Sequence, residues 1–200
     1  MKMWSTVKLG LVLMAYAAVA CVGLAFVYGK TKAVIDKQEL ANLEAAITEL
    51  FPAADSFTDI TGTIASPDSG VSFESEYSIS QNGMLIGAAI QASGGGYGGP
   101  INMLVGVNAD GTISRIKILN HSETPGLGAN AVKANYFVNK AAGLSFYGQF
   151  AGKAVADPFE PKEDVIAITA ATVTSRTVSQ VVRTAGRAAA EWLVSEGAKP

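Results

Sequence analysis

Cysteine and histidine are almost missing: the 200 residues hold one of each, Cys21 and His121. A single cysteine closes no disulfide within the chain, and the Cys/His clusters that hold zinc are excluded, so no metal site is expected. Charge is also sparse. Asp, Glu, Lys and Arg make up 16% of the residues and the net charge is −2. Without a basic excess to meet a phosphate backbone, nucleic acid is not an expected partner. There is no internal repeat and no long disordered linker. The hydrophobic share is 49%, and much of it is concentrated near the N-terminus.

Residues 9–28 read LGLVLMAYAAVACVGLAFVY, without a charge. A helix needs about 20 apolar residues to cross the hydrocarbon core. Lys2 and Lys8 before the run, and Lys30 and Lys32 after it, can snorkel to headgroups. Trp4 and Tyr28 fall near the two interfaces, where amphipathic rings sit well. Two rival readings exist. Ala18-Val19-Ala20 has the small-residue form of a signal cleavage site, and Ala20-Cys21 faintly resembles a lipoprotein site. The apolar run continues past Cys21, which favours an uncleaved span with a lipid bilayer as its surroundings. Basic residues flank both ends, so the sequence leaves sidedness open.

After the span, residues 32–51 read as a helix, with Leu40, Leu43, Ile47 and Leu50 as an apolar stripe and Pro52 as its end. Gly29 is a candidate soft joint. A strand is expected over 57–64. Asn82-Gly83 between the extended runs 74–80 and 84–92 is a strong hairpin signal, and Asp110-Gly111 between 101–107 and 112–119 repeats it. Residues 129–140 read as helical, 145–154 are aromatic-rich, and 165–169 form a short strand candidate. Residues 175–195 read as a long helix burying Val178, Val181, Val182, Ala185, Ala189 and Leu193. The class is α+β: one N-terminal transmembrane helix, then an antiparallel sheet flanked by helices.

Three stretches can carry chemistry. In Ser93-Gly94-Gly95-Gly96-Tyr97-Gly98-Gly99-Pro100 the glycines let backbone approach a flat ligand, and Tyr97 can stack on a ring. The stretch opens no helix, so it is not a Rossmann fingerprint, and a flexible loop is the plainer reading. In His121-Ser122-Glu123-Thr124-Pro125-Gly126-Leu127-Gly128, Pro-Gly fits a type II turn. Its amides can face an anion or a flavin edge, or the segment is a simple turn with His121 a solvent-exposed bystander. In Ile168-Thr169-Ala170-Ala171-Thr172-Val173-Thr174-Ser175-Arg176 the hydroxyls are natural helix caps, and a helix start with Arg176 nearby suits a phosphate.

Together and in this order, the three stretches resemble the FMN-binding domain of the G subunit of Rnf complexes, and of the related C subunit of sodium-translocating NADH:quinone oxidoreductase. The string from His121 to Gly128 favours the Rnf side. The last stretch resembles the family's flavinylation motif, D-x-x-[ST]-G-A-[ST], as Ile166-Ala167-Ile168-Thr169-Ala170-Ala171-Thr172. Ile166 stands at the usual aspartate, with Asp164 two residues earlier, and Ala170 stands at the usual glycine. The resemblance implies FMN attached covalently as a phosphoester to Thr172, with Thr174 the runner-up acceptor, in the care of a flavin transferase that uses FAD. It places Thr169, Ala171, Ser175, Tyr97, Gly98, Gly99, Glu123, Thr124, Gly126 and Leu127 around the cofactor. It implies an electron-transfer subunit without substrate turnover of its own, in an ion-translocating ferredoxin:NAD oxidoreductase, with other membrane subunits of the complex as partners. The implied layout is a short cytoplasmic start at 1–8, the span at 9–28, a connecting helix at 29–52 and an FMN-binding domain at 53–200 on the outer face of the bacterial cytoplasmic membrane. The departures at Ile166 and Ala170 keep a second expectation open, a membrane-anchored assembly module without covalent flavin.

Overall fold

The computed structural model describes residues 2–198. The chain divides into two compact units between Ala45 and Ala46. The first lies within α1, Lys2–Leu50. Glycine disfavours a helix interior by only about 1 kcal/mol, and α1 runs through Gly29 without a break. Its Thr6–Lys32 stretch is long and apolar enough to cross a membrane, with mean hydropathy 2.3 and none of it buried. Leu13, Tyr16, Val19, Leu24 and Phe26 are all exposed. A helix apolar on every side calls for an apolar environment.

The second unit is built on a five-stranded antiparallel meander in the order β1-β2-β3-β4-β5. Its strands are Ser56–Asp59, Val71–Gln81, Met84–Gly95, Pro100–Asn108 and Ile113–His121. Both expected hairpins form. Asn82 and Gly83 have φ of 51° and 76°, as a two-residue turn of the primed kind requires. The strand expected over 57–64 stops at Asp59. Beyond it, the N–H groups of Gly62, Thr63 and Ile64 turn onto Oε2 of buried Glu76 at 2.7, 3.1 and 3.3 Å. One carboxylate thus replaces a stretch of ladder.

Alternation along the strands gives the sheet two faces. Ala88, Ile90, Ala92 and Gly94 of β3 share one face with Ile101, Met103 and Val105 of β4. That face belongs to the same buried cluster as Val178, Val181, Val182, Ala185 and Leu193 of α2, Thr172–Ser195. On the opposite face the last turn of α1 and Phe51 lie on Gly87 and Gly106: a Cβ there would sit 2.7 and 2.9 Å from the Phe51 ring. Ser114 donates to the Leu50 carbonyl at 2.7 Å, and Lys117 pairs with Glu49, fixing the same turn.

Residues between β5 and α2 depart from the sequence reading. The helix expected over 129–140 is a short 3-10 turn, Gly128–Val132, followed by strand β6, Phe137–Asn139, which pairs with β7, Leu144–Ser145. The run Tyr136-Phe137-Val138 favours extended backbone, and Asn130 spends its amide on the Gly126 carbonyl at 2.7 Å. The aromatic-rich stretch buries Phe146 and Phe150 with Phe159, ring centroids 5.7 and 6.2 Å apart in sequence. The strand expected over 165–169 reduces to a single bridge between Val165 and Pro161. Side chains take its ladder partners: Gln149 Oε1 accepts the Ile166 N–H at 2.7 Å, and Ser175 Oγ accepts the Ile168 N–H at 2.9 Å.

Candidate functional site

α2 starts at Thr172, three residues before the expected Ser175. No side chain caps it; Ala171 stands at the cap position. Ser175 instead points inward, donating to the Ala171 carbonyl at 2.9 Å while holding Ile168. The first-turn N–H groups of a helix have no intrahelical partner, so this end carries free donors and the positive end of the helix dipole. Before it, the Ala171 N–H closes a tight turn onto the Ile168 carbonyl at 3.1 Å. Ala170 is the third residue of that turn, with φ 60°. A left-handed third residue is what a type II turn demands and what glycine supplies. The motif's glycine position is therefore a conformational requirement, and here alanine meets it under strain.

The hydroxyls of this turn are sorted by direction. Thr172 is exposed, and no hydrogen bond engages its hydroxyl among the described residues. Thr174 is 1% exposed and donates to Glu123 Oε2 at 2.5 Å. Ser175 is fully buried. Thr169, ahead of the helix, is exposed as well; of the three hydroxyls in the first turn of α2, only Thr172 faces solvent.

Glu123 joins the three stretches that the sequence singled out. It is buried; one carboxylate oxygen receives Thr174, and the other accepts the Gly98 N–H at 3.0 Å. Gly96 and Gly128 leave the space it fills: a Cβ on either would collide with its oxygens. A Cβ on Gly98 would strike the Ser122 carbonyl. These glycines therefore serve the packing of the loops on each other, rather than only the approach of a flat ligand. The expected type II turn forms, with Gly126 at φ 81° and the Leu127 N–H on the Thr124 carbonyl at 3.1 Å. His121 is half-buried rather than a bystander; its Nδ1 accepts the Glu123 N–H at 3.2 Å. At the loop's other end, Thr177 donates to the Gly95 carbonyl at 2.7 Å, and Gly94 meets Val181.

The remaining candidate residues fall into two groups. Tyr97, 76% exposed, and Leu127, 41% exposed, project outward from the two loops with Thr124 and Gly126. Gly99 is half-buried against Ser122, and Ala171 is buried. Thr169 and Thr172 open onto a cavity of about 450 Å³ whose wall is otherwise residues 162–170. Asp164, two residues ahead of the motif's aspartate position, lines it too. Its carboxylate accepts the Glu160 N–H at 2.7 Å and the Phe159 N–H at 3.3 Å and pairs with Lys153 at 3.0 Å. Burial alone would raise this carboxyl; Lys153 and those amides outweigh it and hold it below the usual carboxylate range. Sequence reasoning missed Gln149, whose amide clamps both backbone groups of Ile166 and shapes this wall. A lone glutamine in an aromatic stretch carries no motif to find it by. Among the described residues no cluster could hold a metal ion.

An exposed hydroxyl at a helix start, free amides around it and a cavity beside it fit a phosphate ester of a cofactor of FMN's size. Comparison with known proteins points to FMN as the ligand of this domain. A family described as FMN-binding domain matches residues 96–186, which take in the first stretch from Gly96 onward and the other two whole. One described as the RnfG N-terminal region matches residues 1–50. The G subunit of the Na(+)-translocating ferredoxin:NAD(+) oxidoreductase complex of Acetobacterium woodii is 32% identical, covering 90% of this chain and 89% of that one. The G subunit of the ion-translocating oxidoreductase complex of Methanosarcina acetivorans is 30% identical, over 84% of this chain and 86% of that one. The proton-translocating counterpart of Clostridium ljungdahlii is 32% identical, over 81% and 80%. The crystal structure of Shewanella oneidensis NqrC aligns with TM-score 0.48 at 19% identity, over 72% of this chain and 73% of that one. From its N-terminal helix to its C-terminal site, the chain belongs to the family of G subunits of ion-translocating oxidoreductase complexes, RnfG.

Proposed function

We propose that this chain is the membrane-anchored flavin carrier of an Rnf-type complex, with FMN held as a phosphoester on Thr172. The observation that carries the assignment is the sorting of hydroxyls: Thr172 is exposed and unengaged, while Thr174 and Ser175 are buried and committed. Thr174, the runner-up acceptor, would have to leave Glu123 to react. When bound, FMN supplies the redox chemistry. The first-turn amides of α2 and Arg176 would hold its phosphate, and Tyr97 and Leu127 would offer exposed apolar surface to its ring. Attachment keeps the flavin at high effective concentration through every redox cycle.

The relatives are named as parts of ferredoxin:NAD oxidoreductases that move Na⁺ or H⁺. In that setting this chain relays electrons among membrane redox centres and turns over no substrate alone. Its span, residues 9–28, docks with the other membrane subunits in the bilayer, and the domain over 53–200 lies on the outer face. Among the described residues the chain offers no obvious base beside Thr172, so its activation falls to a separate flavin transferase drawing on FAD. The test is flavin fluorescence of the denatured protein band after co-production with that transferase, followed by peptide mass mapping. FMN on the Thr172 peptide is the expected result. A dark band, with the transferase active on a control protein, would sink this reading and leave an anchored module without covalent flavin.

A further inference from the structure

A phosphoester fixes where a flavin is attached but not how its ring is turned, because the chain between phosphate and ring rotates freely. Orientation needs a second set of contacts held at a fixed distance from Thr172. Two exposed side chains stand ready for a ring, Tyr97 and Leu127, and both sit on loops outside α2. One buried carboxylate ties both loops to the attachment helix. Glu123 Oε1 takes the Gly98 N–H, next to Tyr97; Oε2 takes the Thr174 hydroxyl, two residues beyond Thr172. Its own backbone enters the turn that carries Leu127. No ion pair among the described residues includes Glu123. A carboxylate buried on neutral donors alone is an expensive way to join loops, since an apolar pair of the same shape would do so at less cost. In some proteins such groups are kept because they specify a geometry.

We propose that Glu123 and Thr174 are positioning residues: their buried contact locks the ring-bearing loops to the attachment helix and thereby sets the orientation of the flavin. The inference rests on the flavin reading above. It predicts that the lock acts on ring order and not on attachment. Thr177 on Gly95 and Val181 against Gly94 still dock α2 when the lock is opened, so the fold survives.

The experiment compares holoproteins loaded by the transferase: wild type, Thr174→Val, which keeps shape but loses the donor, and Thr174→Ser, which keeps the donor. Mass mapping reads attachment at Thr172; visible circular dichroism and flavin fluorescence anisotropy read ring order. Attachment persists in all three, while Thr174→Val falls toward the signals of free flavin and Thr174→Ser retains those of the wild type. Wild-type ring signals in Thr174→Val, or equal loss in Thr174→Ser, overturn the proposal. Should Thr174→Val not fold, Glu123→Met opens both links and is read in the same way. A wild type that carries no flavin on Thr172 brings down the flavin reading and this inference with it. A loaded wild type beside an undisturbed Thr174→Val brings down this inference alone.

Discussion

From Val178 onward, α2 buries Val178, Val181, Val182, Ala185, Ala189 and Leu193 in the core over one sheet face. Its first turn does the opposite with Thr172, which it leaves in solvent beside an open cavity. The same helix thus carries a shaft, where stability resides, and a tip, where the proposed attachment lies. Apolar contact in the shaft is non-directional and large in sum. At the tip a handful of hydrogen bonds decide which hydroxyl faces out. Changes in the shaft should therefore cost stability without moving the flavin, and changes at the tip should do the reverse.

The sharpest break is Thr172→Ala. Covalent flavin should vanish entirely, while thermal unfolding shifts within the roughly 0.5 kcal/mol typical of an exposed site. A flavinylated Thr172→Ala protein would show that the tip has been misread. Leu193→Ala in the shaft should destabilise by about 2–5 kcal/mol in denaturant titration, as for other buried leucines. Mass mapping should still find FMN on Thr172 in the folded fraction.

Asp164 sharpens the comparison from the loop that leads into the tip. Its folded carboxyl is held low, so its stabilisation is full above the unfolded value, near 3.8. It is lost as pH falls through the lower folded value. Asp164→Asn should remove about 1.5–3 kcal/mol at neutral pH, the scale of hydrogen bonds to a charged group. It should also lose less than the wild type on acidification below pH ~4. An identical acid limb in urea titrations of both proteins would place the acid sensitivity elsewhere. The smallest effect belongs to Ala170→Gly. Relief of a left-handed alanine, less the added chain entropy of glycine, should stabilise by about 0.5–1 kcal/mol. Melting in the apo form would read it, and an unchanged or lower midpoint would argue against strain at the tip.

Local rules made several parts of this protein legible in advance. The uncharged run near the N-terminus, the Asn-Gly and Asp-Gly hairpins and the periodic apolar stripe of α2 are each encoded within a short window, and all appear where they were expected. The three candidate stretches could be picked out too, though not the way they meet at Glu123. Residues 129–140 failed as a helix because Phe137–Asn139 pair as a strand with Leu144–Ser145, and 165–169 failed as a strand because the side chains of Gln149 and Ser175 took their backbone partners. Gln149 acts on Ile166 across 17 residues.

By itself, then, the sequence determined what short-range physics decides: an apolar anchor, a meander of strands, a long amphipathic helix and a family motif near its start. Tertiary structure alone decided that, in the first turn of α2, Thr172 faces outward and Thr174 does not. Thr174 is withdrawn by a carboxylate 51 residues away, and no local periodicity could foresee that partner. Thr172 remains in solvent because the helix begins at that residue and, among the described residues, nothing engages its hydroxyl.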